Sequence, residues 1–281
     1  VGRTINVKET TMSLRINTNV SALGAYNNLN RVSKETESSL TKLSSGYRIN
    51  SAADDAAGLA ISERMRGQIG GLNTAMRNIS DGISMIQTAE GSLTEVHSML
   101  QRVRDLAVQY KNSTNSTADR TAIQSEVNQL ASEIERIGST AKFNGISLLN
   151  TQLAAGATFQ VGSDDSQVIT VATISLGQTV GTTFYSLTAA STTDISEIDA
   201  AINAVSAQRA TFGAVQNRLE YTYNAQSAYA ENLTAAESRI RDVDMAAEMV
   251  KFTKNQILQQ AANSMLAQAN QAPQGVLRLL G

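Results

Sequence analysis

No cysteine occurs anywhere in the sequence. That excludes disulfides, cysteine-ligated metals and thiol catalysis. Tryptophan is also missing, and aromatic residues make up only 4 % of the chain, too few for the centre of a thick globule. Proline occurs once, at Pro273. Proline breaks helix interiors by removing a donor and clashing with the preceding turn, so the 272 residues before it are free to form very long helices. No run of 18 apolar residues exists, so no transmembrane helix is expected. No N-terminal stretch couples a basic region to an apolar core, so no Sec-type signal peptide is expected. Charge is balanced, with 23 Lys and Arg against 25 Asp and Glu, and the basic footprint of a nucleic-acid binder is lacking. The same balance argues against a membrane-active amphipathic chain, which needs a basic polar face.

What is present is helical periodicity. Leu23, Tyr26, Leu29, Val32, Leu40 and Leu43 recur at helical spacing, interrupted near Thr36. A helix with that gap is marginal alone. Ser44 to Gly58 is small and polar and reads as an irregular connector. Met65, Ile69, Leu72, Met76, Ile79, Ile83 and Ile86 then alternate steps of four and three, a heptad seam. The pattern breaks at Glu90 and resumes at Leu93, Val96, Leu100, Val103 and Leu106. A helix from Leu59 to Tyr110 would be roughly 75 Å long at 1.5 Å per residue, suited to a rod. A polar turn at 112–117 precedes a second seam, Ile123, Val127, Leu130, Ile134 and Ile137, ended by Gly138. So short a loop predicts antiparallel neighbours.

Composition changes over 143–190. Phe159, Val161, Val168, Ile169, Val171, Ile174, Leu176, Phe184 and Tyr185 lie among Gly, Ser, Thr and Asp, which predicts two to four short strands with a turn near Gly162–Gln167. From Ile195 the helical period returns through Ile198, Ile202, Val205, Phe212, Leu219, Tyr223, Leu233 and Ile240, with Asp194 or Ser196 as cap. After Val243 it continues through Ala247, Val250, Ile257, Ala261, Met265 and Leu266 to an apolar tail, Val276, Leu277, Leu279 and Leu280. The expected fold is mainly α: a long antiparallel helical coiled-coil rod formed by the N- and C-terminal segments, with a small β-hairpin region in the middle. Met12 opens the patterned sequence, so a start at Met12 or Ser13 is expected, with residues 1–12 a non-native extension.

Candidate chemistry is sparse. His97, the single histidine, sits beside the seam and is followed by Ser98, so no HExxH zinc motif exists. It reads as a helix-surface residue. Asp54–Asp55 and Asp164–Asp165 lack EF-hand spacing and read as a capping pair and a turn. No phosphate-binding glycine loop occurs. Met65, Met76, Met85 and Met99 read as seam fillers, and the sequons at Asn112, Asn115 and Asn232 carry no functional weight. No catalytic residue, cofactor site or metal site is expected, and the chain is read as a non-enzyme.

Five stretches carry a family likeness. SSGYRINSAADDAAGLAIS at 44–62, LRINTN at 14–19, QRVRDLAVQ at 101–109, FNGI at 143–146 and NQILQQAANSMLAQANQAP at 255–273 strongly resemble bacterial flagellins. The likeness covers nearly all of 12–150 and 195–281; residues 151–194 resemble nothing nameable and are short, so large outer domains are not expected. The resemblance implies a secreted structural subunit that polymerises into the flagellar filament for swimming motility. It implies a terminal coiled-coil domain with connector from 13–57 and 243–281, a helical rod domain from 58–150 and 195–242, and a β-rich insert, 151–194, packed on the rod.

The implied partners are copies of the chain itself, a flagellar export chaperone, the filament cap, hook-junction proteins and the host Toll-like receptor that senses flagellin. No nucleic acid and no membrane insertion are implied. Export would run through the flagellar type III apparatus. Leu23, Leu29, Leu40, Leu43, Ile257, Met265, Leu266, Leu277 and Leu280 would form the terminal assembly seam. Gln101, Arg102, Leu106 and Glu126 match a face that contacts neighbouring protofilaments and that the receptor binds; Asp105 stands where Glu is frequent in the family. A hook–filament junction protein, which shares the paired terminal helices, is the alternative, and QILQQA with AQANQ favours the filament.

Overall fold

The structure is a computed structural model that describes residues 19–150, 156–172, 187 and 193–280, with side chains to 271. The expected extension, residues 1–12, lies outside the described residues, as do Ile174, Leu176, Phe184, Tyr185 and the side chains of Leu277 and Leu280. In chain order the elements are α1 (Val20–Ser45), α2 (Ala56–Tyr110), α3 (Thr117–Thr140), β1 (Lys142–Phe143), β2 (Ile146–Ser147), β3 (Ala157–Gln160), β4 (Val168–Val171), α4 (Asp194–Arg241) and α5 (Met245–Leu280). The chain is mainly α, with two small antiparallel β-ladders. It divides into two compact units: residues up to Arg64 with those from Ala236, and Met65–Ala235.

The Met65–Ala235 unit holds the large core. Along α2, Leu72, Ala75, Ile79, Ile86, Ala89, Leu93, Val96, Leu100, Val103 and Ala107 are buried in the two-step pattern of a heptad seam, with Met85 and Leu106 buried beside it. The apparent break at Glu90 does not interrupt the helix. Ala89 fills the seam position, and Glu90 turns out to pair with Arg209 of α4 at 3.6 Å. Ile198, Val205, Phe212 and Leu219 of α4 follow at seven-residue intervals and are fully buried in the same cluster, joined by Ile123, Val127 and Ile134 of α3. Gly138, read as the end of α3, is a buried position inside it.

Ser116 caps α3. Its hydroxyl accepts from the Asp119 N–H, and the Asp119 carboxylate accepts from the Ser116 N–H at 2.9 Å, a reciprocal cap. The Ser116 hydroxyl, then its backbone N–H, holds the Asp119 carboxyl below its ordinary value of 3.8. A carboxyl depressed by folding stabilises the fold above the unfolded value, and that contribution is lost as pH falls through the folded one. Ser116→Ala is therefore expected to cost about 1 kcal/mol at pH 7 and less at a pH well below the ordinary carboxyl value, once it has fallen through the folded one. Urea melts at the two pH values measure the difference; an equal cost at both would refute the assignment.

Two short ladders complete the unit. Asn144 and Gly145 join β1 to β2 with φ of 47° and 81°, the left-handed pair that a two-residue hairpin turn requires. The β3–β4 hairpin pairs Ala157–Gln160 with Val168–Val171, its turn falling at the expected 162–167. Phe159 of β3 lies over Gly82 of α2, where a Cβ would come within 3.0 Å of the ring. The Asn78 amide donates to Gln160 O at 3.3 Å, and the Gln208 amide of α4 donates to Ala172 O at 3.0 Å. Helix side chains thus satisfy carbonyls of the hairpin.

Candidate assembly surfaces

Within the first unit, α1 and α5 pair antiparallel: the Asn19 amide, at the start of α1, donates to Ala269 O near the other end of α5 at 2.7 Å. Asn19 also caps α1 by accepting from the Ala22 N–H at 3.0 Å. Covered positions on α1 include Ala22, Ala25, Leu29, Val32, Thr36, Ser39 and Leu43; on α5 they are Glu248, Phe252, Asn255, Gln259, Ala262, Leu266 and Ala269. Both sets step strictly by three and four, so both helices present a heptad seam to each other. The α1 interruption near Thr36 is closed by Thr36 and Ser39 themselves.

This seam is not the apolar stripe that the sequence displays. Leu29, Leu43 and Leu266 lie in it. Leu23, Leu40, Ile257 and Met265 lie outside it and are more than half exposed, with Tyr26, Met249 and Val250 beside them. Ala247 and Ala261, read from periodicity as part of the paired α5 face, are exposed as well. The paired face mixes Leu29, Val32, Leu43, Phe252 and Leu266 with small and polar residues, and most of the other large apolar side chains of the two helices are exposed. Single exposed apolar residues are ordinary; a contiguous set marks an interaction surface.

Residues 46–55 of the expected connector are irregular between α1 and α2, and specific hydrogen bonds hold them. Gly46 ends α1 with φ of 75°. Arg48 N donates to Arg241 O at 2.6 Å and Val243 N to Gly46 O at 3.0 Å, while the Arg48 guanidinium donates to Ile240 O at 2.5 Å. The Arg241 guanidinium stacks 4.7 Å from the centre of the Tyr47 ring and pairs with Glu63 at 2.6 Å. Asp54 accepts from the Ser51 N–H, the Ser51 hydroxyl and the Asn50 N–H, which together hold its carboxyl below the ordinary range. Asp55 caps α2 by accepting from the Gly58 N–H at 2.9 Å. A Cβ at Gly58 would overlap Asp55 and lie 2.7 Å from the buried Ile49 side chain, so this glycine is required by space. Tyr47, Glu63 and Arg241 carry this clasp and were not singled out from the sequence, because ion pairs distant along the chain leave no periodic signal.

On the second unit, Arg102 of α2 bridges to Glu126 of α3, Nε to Oε1 at 2.9 Å, with both side chains about half exposed. Gln101 is exposed and touches His97 Nε2 at 3.0 Å. Leu106 departs from the expectation of an accessible anchor: it is 2 % exposed and belongs to the core beneath this patch. Arg104 pairs with Asp199 of α4 at 2.6 Å, and that hydrogen bond raises its already high pKa. Among the described residues no cluster of three potential metal ligands occurs, and no helix is long and apolar enough to cross a membrane.

Residues 16–154 match the bacterial flagellin N-terminal helical region, and residues 195–280 match the bacterial flagellin C-terminal helical region. Flagellin of Bacillus subtilis (strain 168) is 49 % identical, across 95 % of this chain and 100 % of that one. The flagellar filament 33 kDa core protein of Treponema phagedenis is 46 % identical, across 94 % of this chain and 99 % of that one. The crystal structure of Bacillus cereus flagellin is 33 % identical and superposes with a TM-score of 0.48 on 57 % of this chain and 94 % of that one. The two family regions and the relatives named flagellin favour the filament over the hook–filament junction. The chain belongs to the bacterial flagellins, a structural protein family, as a short form without a large outer domain, and it is a subunit of the extracellular flagellar filament.

Proposed function

We propose that this subunit polymerises by burying the outward apolar stripe of the α1–α5 pair, Leu23, Leu40, Ile257 and Met265, between copies, with Leu29, Leu43 and Leu266 holding the pair itself together and Leu277 and Leu280 extending the contact. The observation that carries this reading is the exposure of large apolar side chains on both helices beside a seam already filled. Burial at about 25 cal/mol per Å2 drives such association, and head-to-tail contacts that do not close give an open helical polymer. Residues 13–57 with 243–281 form the filament-core domain, 58–150 with 195–242 the rod domain, and 151–194 a β-rich insert packed on it. The type III export route, a chaperone on the C-terminal segment, and contacts with the cap and hook-junction proteins belong to the same reading. Purified chain, given ammonium sulfate or short seeds, should form filaments visible by negative-stain microscopy. Monomer persisting under every condition would overturn it.

The patch of Gln101, Arg102 and Glu126 serves both as a contact between protofilaments and as the surface read by the host Toll-like receptor for flagellin. The exposed Arg102–Glu126 pair supports this, since a guanidinium offers a planar fork of donors; Leu106 would act from beneath, by shaping α2. Arg102→Ala in soluble monomer is expected to lower receptor-reporter activation at least tenfold, the scale of a hot-spot loss. An unchanged response would sink the assignment.

A further inference from the structure

The β1–β2 turn carries the one Asn–Gly pair in the sequence, Asn144–Gly145. Both residues are exposed and hold positive φ, 47° and 81°. A Cβ at Gly145 would meet nothing within 4 Å, so no neighbouring group crowds this glycine. Among the described residues no hydrogen bond holds the Asn144 side-chain amide. The asparagines of the α2–α3 turn differ on both counts. Asn112 Oδ1 accepts from the Thr114 N–H at 3.2 Å, and Asn115 Nδ2 donates to Gln109 O at 2.5 Å. Each is followed by serine, whose Cβ crowds the next backbone nitrogen. The ladder that holds the β1–β2 turn is short: Lys142 pairs with Ser147 and Phe143 with Ile146. So short a hairpin is weak by itself. Directly after it Leu148 and Leu149 enter the core, and Leu148 N donates to Ala141 O at 2.9 Å.

We propose that Asn144–Gly145 is a self-modification site, at which the folded chain converts asparagine to aspartate and isoaspartate. The Gly145 backbone nitrogen attacks the Asn144 side-chain carbonyl carbon, Cγ. The new N–Cγ bond closes a five-membered succinimide, the Cγ–Nδ2 bond breaks, and Nδ2 leaves as ammonia with the proton that the Gly145 nitrogen gives up. Water then opens the ring. Opening at Cγ gives aspartate; opening at the backbone carbonyl gives isoaspartate, whose main chain runs through the former side chain. Water is the only co-reactant. Glycine permits the close approach because it has no Cβ, and local opening of the weak ladder lets the nitrogen reach the side chain. The two products differ in consequence. Aspartate tolerates the left-handed turn as asparagine does and adds one negative charge. Isoaspartate lengthens the turn by one backbone carbon, so Phe143 and Ile146 lose their register and the entry of Leu148 and Leu149 into the core is loosened. Loss of ammonia is irreversible, so the modified share grows with the age of each subunit.

Purified full-length chain, kept folded in mildly alkaline buffer and sampled over weeks, tests it. Peptide mapping by mass spectrometry should show a gain of one dalton at residue 144, accumulating at least tenfold faster than at Asn112 or Asn115. An isoaspartyl methyltransferase with labelled S-adenosylmethionine should label the aged chain and not the fresh one. Asn144→Gln, whose longer side chain closes a six-membered ring far more slowly, should lose most of that label, with circular dichroism as the folding control. The site-resolved map of the unaltered chain stands whether or not that variant folds. Chains separated by chromatography should divide in urea: those with isoaspartate unfold at a lower midpoint, and those with aspartate melt like Asn144→Asp. Residue 144 unchanged in the folded chain, at a time when the chain in urea has converted there, would overturn the proposal. So would conversion no faster than at Asn112 and Asn115. Isoaspartate chains as stable as unmodified ones would overturn the loosening of the ladder.

Discussion

Deletion of residues 262–281 is expected to abolish filament growth while leaving Met65–Ala235 folded. The deletion removes Ala262, Leu266 and Ala269 from the seam and Met265 from the outward stripe. Ala22, Ala25 and Leu29 of α1 then lose their cover, and the Asn19 amide loses its acceptor, Ala269 O. What is left of α5 is about four turns and a half at 3.6 residues per turn, too short to hold α1 by a seam interrupted at Asn255. None of the removed residues belongs to the core of the second unit. Seeded growth followed by negative-stain microscopy reads the first effect, and thermal melting by circular dichroism reads the second. Filaments at wild-type yield would refute the role given to this segment; loss of the 65–235 transition would show that the two units fold as one.

Much of the fold was legible because the second unit follows a simple rule. Ile79, Ile86, Leu93, Leu100, Val205, Phe212 and Leu219 are large, apolar and buried, so periodicity read directly as burial. Where small residues hold a seam position, the rule missed them: Ala89 and Gly138 continue helices that looked broken or ended. The hairpin turn was legible because Gly162–Gln167 has turn composition between two β-branched runs. The connector was not, since its order comes from carboxylates accepting nearby N–H groups and from an Arg–Glu–Tyr contact that spans some 180 residues.

The terminal pair follows the usual rule only in part. Leu23, Leu40, Ile257 and Met265 face outward, while Ser39 and Asn255 share the inner face with Leu29, Val32, Leu43, Phe252 and Leu266. Periodicity finds an apolar face but cannot tell whether the chain covers that face or leaves it for another copy. In a subunit of a polymer the ambiguity has a physical source. On the proposed assembly the same helix serves both an internal seam and an external surface. The heptad from Glu248 to Ala269 is present in the sequence, but Glu248, Asn255 and Gln259 are polar, so a search for apolar residues alone passes over it. Leu106 is the converse case: it closes the α2 seam read from the sequence and is buried with Val103 and Ala107, while Gln101 and Arg102 of the same motif are exposed.

Phe212→Ala is expected to cost about 3–5 kcal/mol of stability in the second unit, the range for truncating a buried aromatic. With no tryptophan and few aromatics in the chain, Phe212 is the largest of the fully buried side chains among the described residues. It stands on α4 between Val205 and Leu219, in one cluster with Ile86 and Leu93 of α2. The neighbours on α2 and α4 sit on long helices held by many other contacts, so they cannot collapse into the space, and the cavity term is felt in full. A domain stable by about 5–15 kcal/mol would lose a large fraction of its margin. In urea, with a slope of about 1–3 kcal/mol/M, the midpoint should fall by more than 1 M. Phe212→Leu, which keeps most of the volume, should cost less than half as much. A cost under 1 kcal/mol for Phe212→Ala would mean that the helices of this unit close over the gap. They would then be held by their ends and ion pairs, such as Arg104–Asp199, and not by the seam.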